Sequence, residues 1–148
     1  MRKIFELLVL VLAFSGLGFG AALADDKVRA ELYWAENGPP VPDAKLAPEK
    51  LHHRLKEVFG FKHYELMGSQ EFEMRHEWEQ WFVPRKDFFI RVEPLHREPG
   101  QPRILNYEIY KDGFIVASGK FEPRDGTPLF INGPDFNAGR FIYVLEAR

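Results

Sequence analysis

From Gly60 onward the apolar residues of this chain recur with period two or in short runs. Pro, Gly, Asn and Asp break these runs at short intervals. Successive side chains of a strand point to opposite faces, so this pattern builds half-buried strands rather than long amphipathic helices. Phe72, Met74, His76 and Trp78 alternate with Glu71, Glu73, Arg75, Glu77 and Glu79, and Pro84 ends that run. Phe88, Ile90 and Val92 alternate with Phe89, Arg91 and Glu93. Residues 61–67 read as a strand, with a kink or bulge at Gly68-Ser69. Residues 129–131 and 140–147 are two more strands around a loop rich in Gly, Asn and Asp at 132–139. Upstream, residues 27–35 also alternate, with Val28, Ala30, Leu32 and Trp34 opposite Arg29, Glu31 and Tyr33.

One segment has helical period. Leu51, Leu55, Val58 and Phe59 recur at i, i+4, i+7 and i+8, a single apolar stripe. Pro48 suits the first turn, where its missing N–H costs nothing, and Gly60 is the expected stop. The stripe predicts that all four apolar residues are buried against a sheet. The fold expected is therefore mainly β: an antiparallel β-sandwich or barrel-like sheet of about eight short strands with one amphipathic helix.

Asp112-Gly113, between the runs 104–110 and 114–121, is the best hairpin signal in the chain. A strict two-residue loop would set Leu105 opposite Lys120 and mix polar with apolar on both faces. A three-residue loop, Lys111-Asp112-Gly113, pairs Tyr110 with Phe114 and Ile109 with Ile115 and segregates the faces. The expected turn is thus type I followed by a G1 bulge, with Gly113 at positive φ.

The amino-terminal end constrains location. Arg2 and Lys3 precede a long apolar run, and Ala22-Leu23-Ala24 precedes Asp25-Asp26. A basic start, an apolar centre and an A-x-A site are what signal peptidase requires. Residues 1–24 are read as a signal peptide and 25–148 as a single β-rich domain. The chain is placed outside a bacterial cytoplasm, in the periplasm or beyond. The alternative is an uncleaved anchor, since residues 7–24 carry no charge and approach the length of a spanning helix. In that case alone would the protein meet a membrane. With no cysteine there is no lipid-attachment site, disulfide, thiolate nucleophile or c-type haem attachment.

The composition and spacing exclude several chemistries. A net charge of −2, with no concentrated basic face, gives no reason to expect a nucleic-acid partner. The five histidines lack metal-ligand spacing: His52-His53 are adjacent on a helix, and His63, His76 and His96 lie in separate segments. No metal or other cofactor is expected. Glu71, Glu73, Glu77 and Glu79 fall on one outward strand face, which solubilises a sheet rather than forming a catalytic pair. Neither Ser69 nor Ser118 sits in G-x-S-x-G. Asn132, Asp135, Asn137 and Gly139 lack EF-hand spacing and read as a turn.

Aromatic residues make up 15% of the chain, and they carry the one functional hint. Trp34 and Trp78 fall in the apolar register of their strands, which suits core packing. Trp81 and Tyr33 fall in the opposite registers and are the candidate ligand-binding residues, as an exposed aromatic platform.

The passage 51–69, LHHRLKEVFGFKHYELMGS, and the ending 133–148, GPDFNAGRFIYVLEAR, resemble a set of short exported bacterial proteins of unknown function. In these a helix closing in L-x-x-x-F leads into an aromatic strand, and a hairpin ends the chain. The resemblance implies export and a small β-rich domain, and it carries no activity or site residue.

The expected function is a non-enzymatic binding or assembly module of the cell envelope, presenting sheet edges or an aromatic face to an envelope or extracellular protein. The alternative is a carbohydrate-binding module using Trp81 and Tyr33, and a small hydrolase comes third. A row of exposed aromatics on one flat face separates the second reading from a concave catalytic pocket.

Overall fold

The computed structural model describes residues 27–74, 78–124 and 126–147. The proposed signal peptide, His76 and Glu77 lie outside them. The elements are β1 (Lys27–Glu36), α1 (Glu49–Phe59), β2 (His63–Glu73), β3 (Gln80–Arg85), β4 (Phe88–Pro94), β5 (Leu105–Lys111), β6 (Phe114–Phe121), β7 (Leu129–Phe136) and β8 (Gly139–Ala147). Eight strands form two antiparallel sheets, ordered β2-β1-β8-β7 and β3-β4-β5-β6. Each hydrogen-bonded neighbour is the next strand in the chain, apart from β1, which pairs with β8. The meander does not close into a barrel: β2 and β3 belong to different sheets, and so do β6 and β7.

The inner faces follow the alternation of the sequence. Val28, Ala30 and Leu32 of β1 meet Phe88, Ile90 and Val92 of β4 across one apolar core. A second apolar layer lies on the outer face of the first sheet, where Leu55 of α1 covers Tyr33, Ala35, Tyr64, Ile142 and Val144. The first sheet is therefore buried on both sides. This explains why residues 141–145 of β8 are apolar without alternation and all buried. The Tyr64 hydroxyl donates to the Leu55 carbonyl at 2.9 Å and fixes the helix on the sheet.

Gly60 ends α1 in the left-handed conformation at φ 78° and donates its N–H to the Lys56 carbonyl. The apolar stripe is narrower than its spacing predicts. Leu55 is fully buried and Leu51 and Phe59 are half-buried, while Val58 is 60% exposed. Contact with the sheet is centred on Leu55, and at about 100° per residue Val58 falls 60° to one side. The opposite rim is held by His52, which packs edge-on against Tyr64 with ring centres 5.7 Å apart.

Three further expectations are corrected. The bulge expected at Gly68-Ser69 lies one residue earlier: β2 continues through Gly68, and a register shift against β1 leaves Met67 as the extra residue. Trp78 is exposed in the β2–β3 connection instead of buried in a strand. The alternation continues past Met74 in sequence, but there the chain leaves one sheet for the other. The 132–139 segment is mostly strand, and its turn is confined to Asn137-Ala138.

The β5–β6 hairpin uses the register that the sequence argument rejected. Lys111 pairs with Phe114 and Tyr110 with Ile115, while Ile109 pairs with Ala117. The loop has two residues, and both Asp112 (φ 51°) and Gly113 (φ 83°) lie at positive φ, as a type I′ turn requires. The faces still segregate because the extra residue is taken up within the strand. Val116 is the bulge, and it returns Ala117, Gly119 and Phe121 to the side of Ile109, Tyr107 and Leu105.

Candidate functional site

The outer face of the second sheet gathers aromatic and charged side chains into one patch. Strand pairing sets Trp81 beside Arg91, Arg91 beside Glu108, Phe89 beside Tyr110, and Tyr110 beside Ile115. The inward neighbours Phe82, Phe88, Ile90 and Ile109 are buried, so alternation turns these residues to the outside. The rings of Phe89 and Tyr110 stack at 5.1 Å with 11° between their planes. Trp81 leans on both, 5.8 Å from Phe89 and 5.7 Å from Tyr110. Val83 and Ile115 extend the apolar stripe to the two edge strands, and both are exposed.

A charged frame holds this cluster. Arg91 Nη1 donates to Glu79 Oε2 at 2.7 Å, and Arg91 Nη2 lies 2.9 Å from Glu108 Oε2. The Trp81 indole N–H donates to Glu79 Oε1 at 3.1 Å, and the Tyr110 hydroxyl donates to Glu108 Oε2 at 2.7 Å. The guanidinium of Arg91 sits 6.0 Å from the Trp81 ring centre, within cation–π range. The Arg91 bond, aided by that of Trp81, holds the Glu79 carboxyl below the usual carboxylate range. The hydrogen bond to Glu108 raises the Tyr110 hydroxyl above its ordinary value. Glu79 and Glu108 thus orient the rings of Trp81 and Tyr110, which leaves these side chains less rotamer freedom to lose on any contact.

The two candidate residues are not brought together. Trp81 is 40% exposed and belongs to the patch. Tyr33 is 1% exposed on the other sheet, under α1, with its hydroxyl donating to Glu31 Oε2 at 2.9 Å. The expected exposure of Tyr33 is overturned because the outer face of the first sheet serves as the floor of the helix. Phe89 and Tyr110 take its place. Their signal is present in the sequence: each is an aromatic in the polar register of its strand, alternating with Arg91 and Glu93 or with Asn106 and Glu108.

No protein-family model, curated protein or solved structure matches this chain.

Elsewhere the surface offers shallow recesses. One of about 240 Å³ lies beside α1, lined by Arg29, Glu31, Lys50, Arg54 and Glu146. Arg29 and Glu31 are paired at 2.8 Å within it, and Arg54 donates to the Gly126 carbonyl. Among the described residues no three His, Asp or Glu side chains gather as a metal site would require.

Proposed function

We propose that this chain is an exported binding module of the bacterial cell envelope that holds a protein partner on the outer face of its second sheet. One contrast carries this reading. Both sheets carry apolar side chains on their outer faces, and those of the first are covered by α1 while those of the second, set among charged residues, have no covering element among the described residues. A sheet face bearing mutually stacked aromatics and a framed arginine has the composition of an interface centre, where aromatic residues and Arg dominate binding energy. The export part of the proposal rests on the signal-like residues 1–24.

A carbohydrate ligand is the second reading, favoured by the Trp81 ring beside the hydrogen-bonding groups of Glu79 and Arg91. It is the weaker of the two. A sugar ring stacks on an open aromatic face, whereas Phe89 and Tyr110 cover one face of each other and Arg91 stands over Trp81. The test is retention of partners from envelope extracts by immobilised wild-type protein and by Trp81→Ala/Tyr110→Ala. The proposal expects a defined protein to be retained by the wild type and lost, at least tenfold, by a variant with unchanged thermal stability. Equal retention by both proteins refutes it, and Trp81-dependent retention on insoluble polysaccharide would transfer the site to the second reading.

A further inference from the structure

The free edge of β6 presents a separate feature. Phe114, Ile115 and Val116 are consecutive apolar residues that are 75%, 55% and 49% exposed. An open apolar edge strand is a template for pairing with another strand, and proteins usually blunt such edges. The other three edges here are blunted. β3 carries Pro84 and a register shift between Phe82 and Arg85. β7 carries Pro134 and a register shift between Asn132 and Asp135. β2 is shielded by β3, where a Cβ on Gly68 would stand 3.1 Å from that of Pro84. β6 has no proline, and residues 114–119 carry no charge. Pro134, which has no N–H to donate, also lines the gap of about 210 Å³ that Val116 and Ala117 share with β7, so β7 does not complete the ladder there.

We infer that the free edge of β6 joins two copies of this chain, with the strands antiparallel about a two-fold axis between Val116 and Ala117. The uncharged segment 114–119 pairs with itself without setting like charges opposite one another, and a two-fold axis makes one self-complementary edge sufficient. The bulge at Val116 selects the register. Directly opposed residues share a face, and Ile115, Ser118 and Lys120 lie on the outer face, by their pairing with Tyr110, Glu108 and Asn106. Opposing Ile115 of the second copy would pair residues 114–116 alone, because β6 begins at Phe114, so the longer registers oppose Ile115 to Ser118 or Lys120. Opposing Lys120 would set the inner Ala117 against the outer Ser118. Opposing Ser118 sets Phe114 against Gly119, both on the inner face by their pairing with Lys111 and Tyr107, twice over by symmetry. Agreement of faces favours the latter, which pairs the uncharged residues 114–119 with themselves and yields an eight-stranded sheet across the two copies. The interface adjoins the Trp81 patch at Ile115 and is centred on the strand edge, since the patch glutamates Glu79, Glu93 and Glu108 would repel their own copies.

The absence of cysteine from the sequence makes the test direct. The full chain should sediment as two copies, and Ile115→Lys should sediment as one with its thermal unfolding retained. Trp81→Ala should remain two copies, which separates this interface from the proposed partner site. For the register, Ile115→Cys and Ser118→Cys proteins are mixed and oxidised. The mixed disulfide should form several-fold faster than either self-crosslink. A wild-type chain that sediments as a single copy overturns the inference. A dimer unaffected by Ile115→Lys, or faster crosslinking of Ile115→Cys with Lys120→Cys, overturns the interface or its register respectively.

Discussion

The guanidinium carbon of Arg85 lies 4.7 Å from the centre of the Phe136 ring, and this contact ties β3 of one sheet to β7 of the other. The same guanidinium is 5.6 Å from the Phe141 ring, and Asp87 orients it through hydrogen bonds of 3.1 and 3.3 Å. Two sheets without a shared ladder depend on such end contacts as well as on the core. Arg85→Ala is expected to lower the free energy of unfolding by about 1 kcal/mol, the scale of a partly exposed cation–π pair. Urea denaturation checks this, and Asp87→Asn should lose less because it only releases the orientation. An Arg85→Ala protein with an unchanged midpoint would show that the contact contributes nothing.

The α1 contact predicts a contrast between two residues of one stripe. Leu55→Ala opens a cavity beneath the helix and should cost about 2–5 kcal/mol. Val58→Ala removes exposed surface and should stay within about 0.5 kcal/mol of wild type. Equal losses at the two positions, measured by thermal or chemical unfolding, would contradict the packing described.

Tyr33 and Tyr143 predict an alkaline limit. Burial pushes both hydroxyls well above the ordinary tyrosine value, and the Glu31 charge adds to the effect at Tyr33. The folded state therefore holds these protons more tightly than the unfolded state does. Their contribution is complete below the unfolded value of about 10 and is lost progressively as pH rises above it. Absorbance titration should show these two phenols ionising only with unfolding, after the exposed tyrosines. Ionisation of all tyrosines near the ordinary value without unfolding would refute the burial.

The Tyr143 hydroxyl is the one buried side-chain polar atom without a hydrogen-bond partner among the described residues. Tyr143→Phe keeps the ring between Phe82 and Phe88 and removes the unpaired group. It should raise stability by about 1 kcal/mol, since an unsatisfied buried hydroxyl carries a desolvation cost of that order. A less stable variant in calorimetry would mean that the hydroxyl has a partner in solution.

Gly139 opens β8 where a Cβ would stand 2.2 Å from the Ala35 carbonyl oxygen and 2.6 Å from the Trp34 indole nitrogen. Both neighbours are fixed, the carbonyl as backbone and the indole by its bond to the Phe136 carbonyl at 3.1 Å. Gly139→Ala should cost about 1–3 kcal/mol through overpacking. Wild-type unfolding of that variant would show that β1 and β8 separate there without penalty.

Alternation and turn residues determined most of the secondary structure, because strand period and proline or glycine breaks are local properties. β1, β4 and the helix stop at Gly60 follow from neighbours within a few residues, and so does the placing of Trp81 on an outer face. Assembly of the sheets decided the rest. Local spacing placed Tyr33 and Trp81 in the same kind of register, and only the packing of α1 over the first sheet buried one and left the other open. Local pairing likewise favoured a three-residue loop at Asp112-Gly113, but Val116 could leave the ladder because β6 has no further strand on its free side to hold it in register. A sequence states which side of a strand is apolar. What covers that side, and whether a strand is central or at an edge, depends on residues far away in the chain.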